Sequence, residues 1–120
     1  MEPQPGLFVT SLTADTWEPD PDVGGLMNIL CDVPGVWAGF TRYDIAPAPV
    51  PWTPLQRESF VILEGAVRIE ISGGPTLELK PGDAVSLPAG TDSVWHITAP
   101  FREFWVLNAA ESTSAREPQP

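Results

Sequence analysis

Glu58 stands at the head of the run ESFVIL (residues 58–63), a carboxylate followed almost at once by apolar side chains. Successive side chains of a strand face opposite ways, so Glu58, Phe60 and Ile62 share one face. A carboxyl group held among apolar walls is costly to ionise, and its pKa rises. So placed, it can take or give a proton near neutral pH, and the chemistry on offer is general acid–base catalysis. The competing reading is structural, with Glu58 as one half of an ion pair to Arg42, Arg57 or Arg102.

Further groups gather around Glu58 on the same alternation. Ser93, Trp95 and Ile97 share a face, which adds one hydroxyl to aromatic and aliphatic walls. Either Thr41 and Tyr43 or Arg42 and Asp44 line the site from a neighbouring strand, depending on register. Trp52 falls near the mouth. Such a site is mostly apolar with a few orienting polar groups, the composition of a small-molecule pocket. Tyr43, Ser93 or Arg102 would hold a developing oxyanion, and Arg102 turned inward would grip a carboxylate ligand with both arms of its guanidinium. Arg102 and Glu103 are adjacent on a strand, so at most one of them reaches the site. His96 is the single histidine; with Val94 and Thr98 it faces away from Ser93, and its plain reading is a structural side chain. Cys31, flanked by apolar residues, reads as an inert buried thiol.

Positioning these groups falls to a meander of short strands. Val67, Ile69 and Ile71 alternate with Arg68 and Glu70, the mark of a half-buried strand. Strands at 60–63, 67–72, 76–80 and 85–87 are separated by turns at Glu64-Gly65, Gly73-Gly74-Pro75 and Pro81-Gly82-Asp83. Pro88-Ala89-Gly90 turns the chain once more. Two further strands are expected at 93–98 and 101–108, divided by a turn at Pro100. Upstream, 36–45 is a strand rich in aromatic and β-branched residues. Residues 26–33 suit either a strand or one short helical turn, and 7–12 a first strand at an edge or swapped onto a partner subunit. Residues 16–25 read as an acidic loop. The four prolines within 46–54 exclude a central strand there. The pattern predicts an all-β, antiparallel double-sheet jelly roll at 7–109, between a flexible arm at 1–6 and a tail at 110–120.

The spacing Glu58-x6-Gly65, followed by Gly82-x5-Pro88-x-Gly90, resembles the two motifs of the cupin superfamily. The stretch 88–95 and the later Arg102-x2-Trp105-Val106 are similar to the small single-domain cupins typified by ethanolamine-utilisation and ureidoglycolate-related proteins. The resemblance covers roughly residues 36–107 and implies a jelly-roll barrel, commonly paired as a homodimer. It also implies a place for a metal, held in many cupins by three histidines and a glutamate. Glu58 matches the glutamate. The paired histidine positions fall at Pro51 and Thr53 or at Trp52 and Pro54, and the third at Ser93. With His96 the only histidine, one subunit cannot build that site, and the expectation is a barrel working without metal or other cofactor.

At 120 residues the chain is one domain with room for a core of its own. Six basic residues against sixteen acidic give a net charge of −10, which repels phosphate backbones and anionic membranes. Nucleic acid and membrane are therefore not expected partners, and a small molecule is. A lone cysteine and no apolar leader stretch point to a cytoplasmic protein. Three functions fit: a metal-independent isomerase, cyclase or lyase built on Glu58; a binding or sensing protein with no turnover; and a barrel that serves assembly.

Overall fold

The computed structural model describes residues 1–109. Its strands are β1 (Glu18–Pro19), β2 (Leu26–Val33), β3 (Val36–Tyr43), β4 (Val50–Trp52), β5 (Arg57–Ile71), β6 (Thr76–Leu79), β7 (Ala84–Leu87) and β8 (Ser93–Asn108). Two of them build the barrel. β5 and β8 are antiparallel partners along their whole length, from Arg57 opposite Asn108 to Ile71 opposite Ser93. Midway the register shifts between Ile62, Glu64 and Ala66, and there β5 passes from one sheet to the other.

The two halves of each long strand recruit different neighbours. The first half of β5 pairs with β7, and the second half of β8 pairs with β3, then β2, then β1. The second half of β5 pairs with β6, and the first half of β8 with β4. Two antiparallel sheets thus share β5 and β8, the plan of a jelly roll. Ile62, Ile69 and Phe101 are wholly buried between them.

Where a turn was expected at Glu64-Gly65, the chain makes a bulge within one continuous strand. Gly65 has φ +79°, and a Cβ there would overlap the Pro100 carbonyl oxygen and lie 2.7 Å from that of Thr98. Only glycine lets β8 come so close. Likewise 93–98 and 101–108 are one strand, running through a cis Ala99–Pro100 bond. The two long strands hold each other around these breaks, Glu64 pairing with Arg102 and Ala66 with Thr98.

Residues 7–12 do not form a strand. Their amides close local turns, Leu7 to Gln4 and Val9 to Met1, and the segment meets β2 through side chains. Thr10 Oγ1 donates to Asn28 Oδ1, and Asn28 Nδ2 donates to the Ser11 carbonyl. Residues 26–33, open between strand and helical turn, are strand, and no helix occurs among the described residues. Pro51 sits in β4, which pairs only with β8 and so spares the missing amide a partner. No helix of the described residues is long and apolar enough to cross a membrane. The tail at 110–120 lies outside the described residues.

Candidate functional site

A small cavity of about 50 Å³, open to solvent at one end, lies between the two sheets. β3 contributes Trp37, Thr41 and Tyr43, β4 Val50 and Trp52, and β5 Glu58. β8 contributes Trp95, Ile97, Glu103, Trp105 and Leu107, and the segment between β1 and β2 adds Asp20, Asp22 and Val23. The walls are aromatic and aliphatic, and the polar groups among them are mostly carboxyls.

Glu58 is 5% exposed, and Trp52 Nε1 donates to its Oε1 at 2.6 Å. Burial pushes this carboxyl up from its ordinary 4.5 to about 7, while the indole hydrogen bond pulls the other way. Nearby arginines engage elsewhere: Arg42 pairs with Asp44 at 3.5 Å, Arg102 with Glu64 at 3.1 Å, and Arg57 donates to Ser86 Oγ. Glu58 is thus a carboxyl poised by desolvation and held by an indole.

Glu103 is the second carboxyl. It is 6% exposed, and its Oε1 has no hydrogen-bond partner among the described residues. Burial raises its pKa well above the ordinary value, and the charge of Glu58 raises it further. Sequence reasoning singled out Arg102 at this junction and left Glu103 as its alternative. The signal was nevertheless present. Ser93, Trp95, Ile97, Phe101, Glu103, Trp105 and Leu107 are all buried or nearly so, an unbroken period of two along β8. Reading Pro100 as a turn hid that continuity.

The other predicted site residues fall into three groups. Tyr43 and Trp95 line the cavity beside Glu58, and Trp52 lines it while remaining half-buried. Tyr43 donates its hydroxyl to the Val23 carbonyl at 2.8 Å, and burial, then the charges of Glu103 and Asp20, hold that phenol above its usual pKa. Phe60 and Ile62 are core residues next to the cavity, with the Phe60 ring 5.0 Å from that of Trp95. Ser93 is buried behind the wall; its hydroxyl donates to the Trp52 carbonyl and accepts from Trp95 Nε1. Arg42 and Arg102 turn to the outer faces, Arg42 lying 4.7 Å from the Trp17 ring. The register therefore brings in Thr41 and Tyr43 and leaves Arg42 and Asp44 outside. His96 is outside too, its Nε2 3.0 Å from Glu70 Oε1.

The model of the EutQ-like cupin domain matches residues 43–104. The chain belongs to the EutQ-like cupin family. Its fold is shared with solved structures of low identity. The ethanolamine-utilisation protein EutQ of Salmonella typhimurium LT2 superposes with a TM-score of 0.67 at 23% identity, over 79% of this chain and 80% of that one. A protein of Ralstonia eutropha JMP134 described as a candidate mannose-6-phosphate isomerase gives 0.66 at 21% identity, over 85% and 98%. KdgF from Halomonas sp. gives 0.64 at 19% identity, over 82% and 92%. No curated protein matches the sequence significantly.

This EutQ-like cupin thus has the barrel fold of its family. The metal ligands common among cupins are poorly matched by its residues. No histidine or cysteine lines the cavity, the ligand positions at 51–54 hold Pro51, Trp52, Thr53 and Pro54, and Ser93 is committed to Trp52 and Trp95. No group of three or more metal-binding side chains occurs among the described residues. A donor set of carboxyls lacks the imidazoles that favour first-row transition metals.

Proposed function

We propose that the cavity performs acid–base chemistry on a small carbonyl compound, as an isomerase, cyclase or lyase that works without a metal. The observation that supports this most is the pair of buried carboxyls, Glu58 from β5 and Glu103 from β8, facing one cavity, both raised by burial and Glu103 raised further by the charge of Glu58. Two carboxyls enclosed in one cavity resist ionising together, so one serves as base while the other keeps its proton as acid. Near neutral pH a good fraction of Glu58 is ionised and can accept a proton from the carbon next to the carbonyl. The C–H electron pair becomes the new C=C bond, and the carbonyl oxygen takes the proton of Glu103. Return of a proton to a neighbouring carbon completes an isomerisation; loss of a leaving group completes a lyase reaction.

Tyr43 and Ser93 act in this scheme by position. Their hydroxyls donate to backbone carbonyls, so the oxyanion role passes to Glu103. Ser93 ties Trp52 to Trp95 and so fixes the wall that holds Glu58. Phe60 and Ile62 back the cavity, while Arg42 and Arg102 keep to the outside. The homodimer that the family resemblance implies belongs to the same proposal. The outer face of β3, β8 and β5, where half-buried Phe40 and Phe104 meet edge-on at 5.2 Å, is the surface it would cover.

A second reading, binding or sensing with no turnover, is favoured by the Trp52 indole, which already occupies one oxygen of Glu58. Solvent exchange separates the two. The protein is incubated in D2O with a panel of small hydroxy- and amino-carbonyl compounds, and deuterium at the α-carbon is followed by NMR. Catalysis is expected to label at least one compound, with Glu58→Gln slower by about 100-fold or more. Saturable binding of the same compounds with no labelling above the buffer rate would reject the enzyme in favour of the binder.

A further inference from the structure

The donors and acceptors of the cavity are unequally spent. Trp52 Nε1 is given to Glu58, Trp95 Nε1 to Ser93 and Trp105 Nε1 to Thr41, and the Tyr43 hydroxyl is given to Val23. What remains facing the cavity, beside the Trp37 indole and the Thr41 hydroxyl, is carboxyl: Glu58 and Glu103 inside, and toward solvent exposed Asp22 and half-exposed Asp20, whose Oδ1 also accepts from the Asp22 and Val23 amides. No lysine, arginine or histidine lines it. Glu103 Oε1 is fully enclosed and has no partner among the described residues, so the wall holds a carboxyl whose hydrogen bonding is incomplete. A buried polar group left unmet costs on the order of 1–3 kcal/mol, and a ligand that pairs with it recovers that cost.

The walls complete the pattern. With their N–H groups turned to protein partners, Trp52, Trp95 and Trp105 have π faces and ring edges left for a ligand, and Trp37 stands edge-on to Trp105 at 5.1 Å. Tryptophan faces attract cations and offer little to anions. The net charge of −10 acts in the same direction over longer range.

We infer that the cavity selects a small organic cation, an ammonium compound with an apolar body, whose charge is met by tryptophan faces and by the Asp20 and Asp22 rim while its polar end reaches Glu58 and Glu103. This names the ligand class of the site proposed above. It rests on the cavity being a small-molecule site and holds whether or not turnover follows. It also excludes sugar phosphates and simple carboxylates, because the cavity carries no cationic group to receive them.

Three probes of one shape test it: choline, its neutral isostere 3,3-dimethylbutan-1-ol, and the anion 3,3-dimethylbutanoate. Binding to the wild-type protein is measured at pH 8 by calorimetry and by tryptophan fluorescence. Choline is expected to bind at least about tenfold tighter than the alcohol, with the anion weaker still. The double variant Asp20→Asn, Asp22→Asn changes only partly or fully exposed side chains. It should lower choline affinity at least about threefold and leave the alcohol unchanged. Equal or tighter binding of the alcohol or the anion, or no detectable choline binding, overturns the inference. These readouts are independent of turnover. A choline preference without deuterium exchange removes the enzyme and keeps the cation, and exchange on neutral compounds without that preference does the reverse.

Discussion

Replacing Glu58 by glutamine should change how stability depends on pH, in a direction opposite to that of most carboxylates. Burial raises the folded-state pKa of Glu58 to about 7, against an ordinary value of 4.5 in the unfolded chain. Protons are then bound more tightly by the folded protein. The stabilisation from this group is complete below 4.5, declines as pH rises, and is gone above about 7. The whole effect is about 3 kcal/mol, of which about 2 kcal/mol falls between about pH 5.5 and 8. A glutamine side chain in its place would accept the Trp52 indole hydrogen bond through its amide oxygen but cannot ionise. Relative to wild type, Glu58→Gln should therefore gain about 2 kcal/mol of stability over that interval. Urea unfolding followed by tryptophan fluorescence measures it, and working above about pH 5.5 keeps clear of the isoelectric point near 4.2. Taking the difference between variant and wild type cancels the carboxylates they share, except for coupling to Glu103. That residue is raised partly by the Glu58 charge and should titrate lower in the variant. Parallel curves, or a variant that loses ground to wild type as pH rises, would refute the desolvated carboxyl and with it the base assigned to the cavity.

Trp52→Phe removes the one hydrogen bond that holds the Glu58 pKa down, so the carboxyl should titrate above about 7; carboxyl carbon NMR reads the midpoint, and an unmoved or lower value rejects the contact. On the assembly side, wild-type protein should sediment at twice the 13.0 kDa chain mass. Phe104→Glu, which places charge on the half-buried outer face, should sediment at the chain mass, and a wild-type monomer would remove the proposed interface.

Much of the fold was legible because turn chemistry and alternation are local. Gly82, Pro88 and Gly90 mark fixed corners, and the period of two sets Glu58, Phe60 and Ile62 on the inner face. The same alternation turns His96 outward to Glu70. What eluded a local reading was continuity. Pro100 and Glu64-Gly65 look like turns in isolation, yet both lie inside long strands that pair with each other before and after the break. The two interruptions also differ. At Gly65 the inward positions change from Glu58, Phe60 and Ile62 to Val67, Ile69 and Ile71, a parity shift produced by the bulge. At Pro100 the parity is kept, and that keeps Glu103 inside and Arg102 out.

The sequence by itself determined the cupin plan, one inward carboxyl and the impossibility of a three-histidine site in one subunit, since these depend on residue identity and on spacing along one strand. Only the tertiary structure decided that a second carboxyl shares the cavity and that Tyr43, Ser93 and three indoles spend their hydrogens on protein acceptors. Partners such as Trp105 and Thr41 lie 64 residues apart, and only the register between β3 and β8 brings them together. Strand spacing can aim a side chain at a cavity, but what it meets there depends on strands far away in sequence.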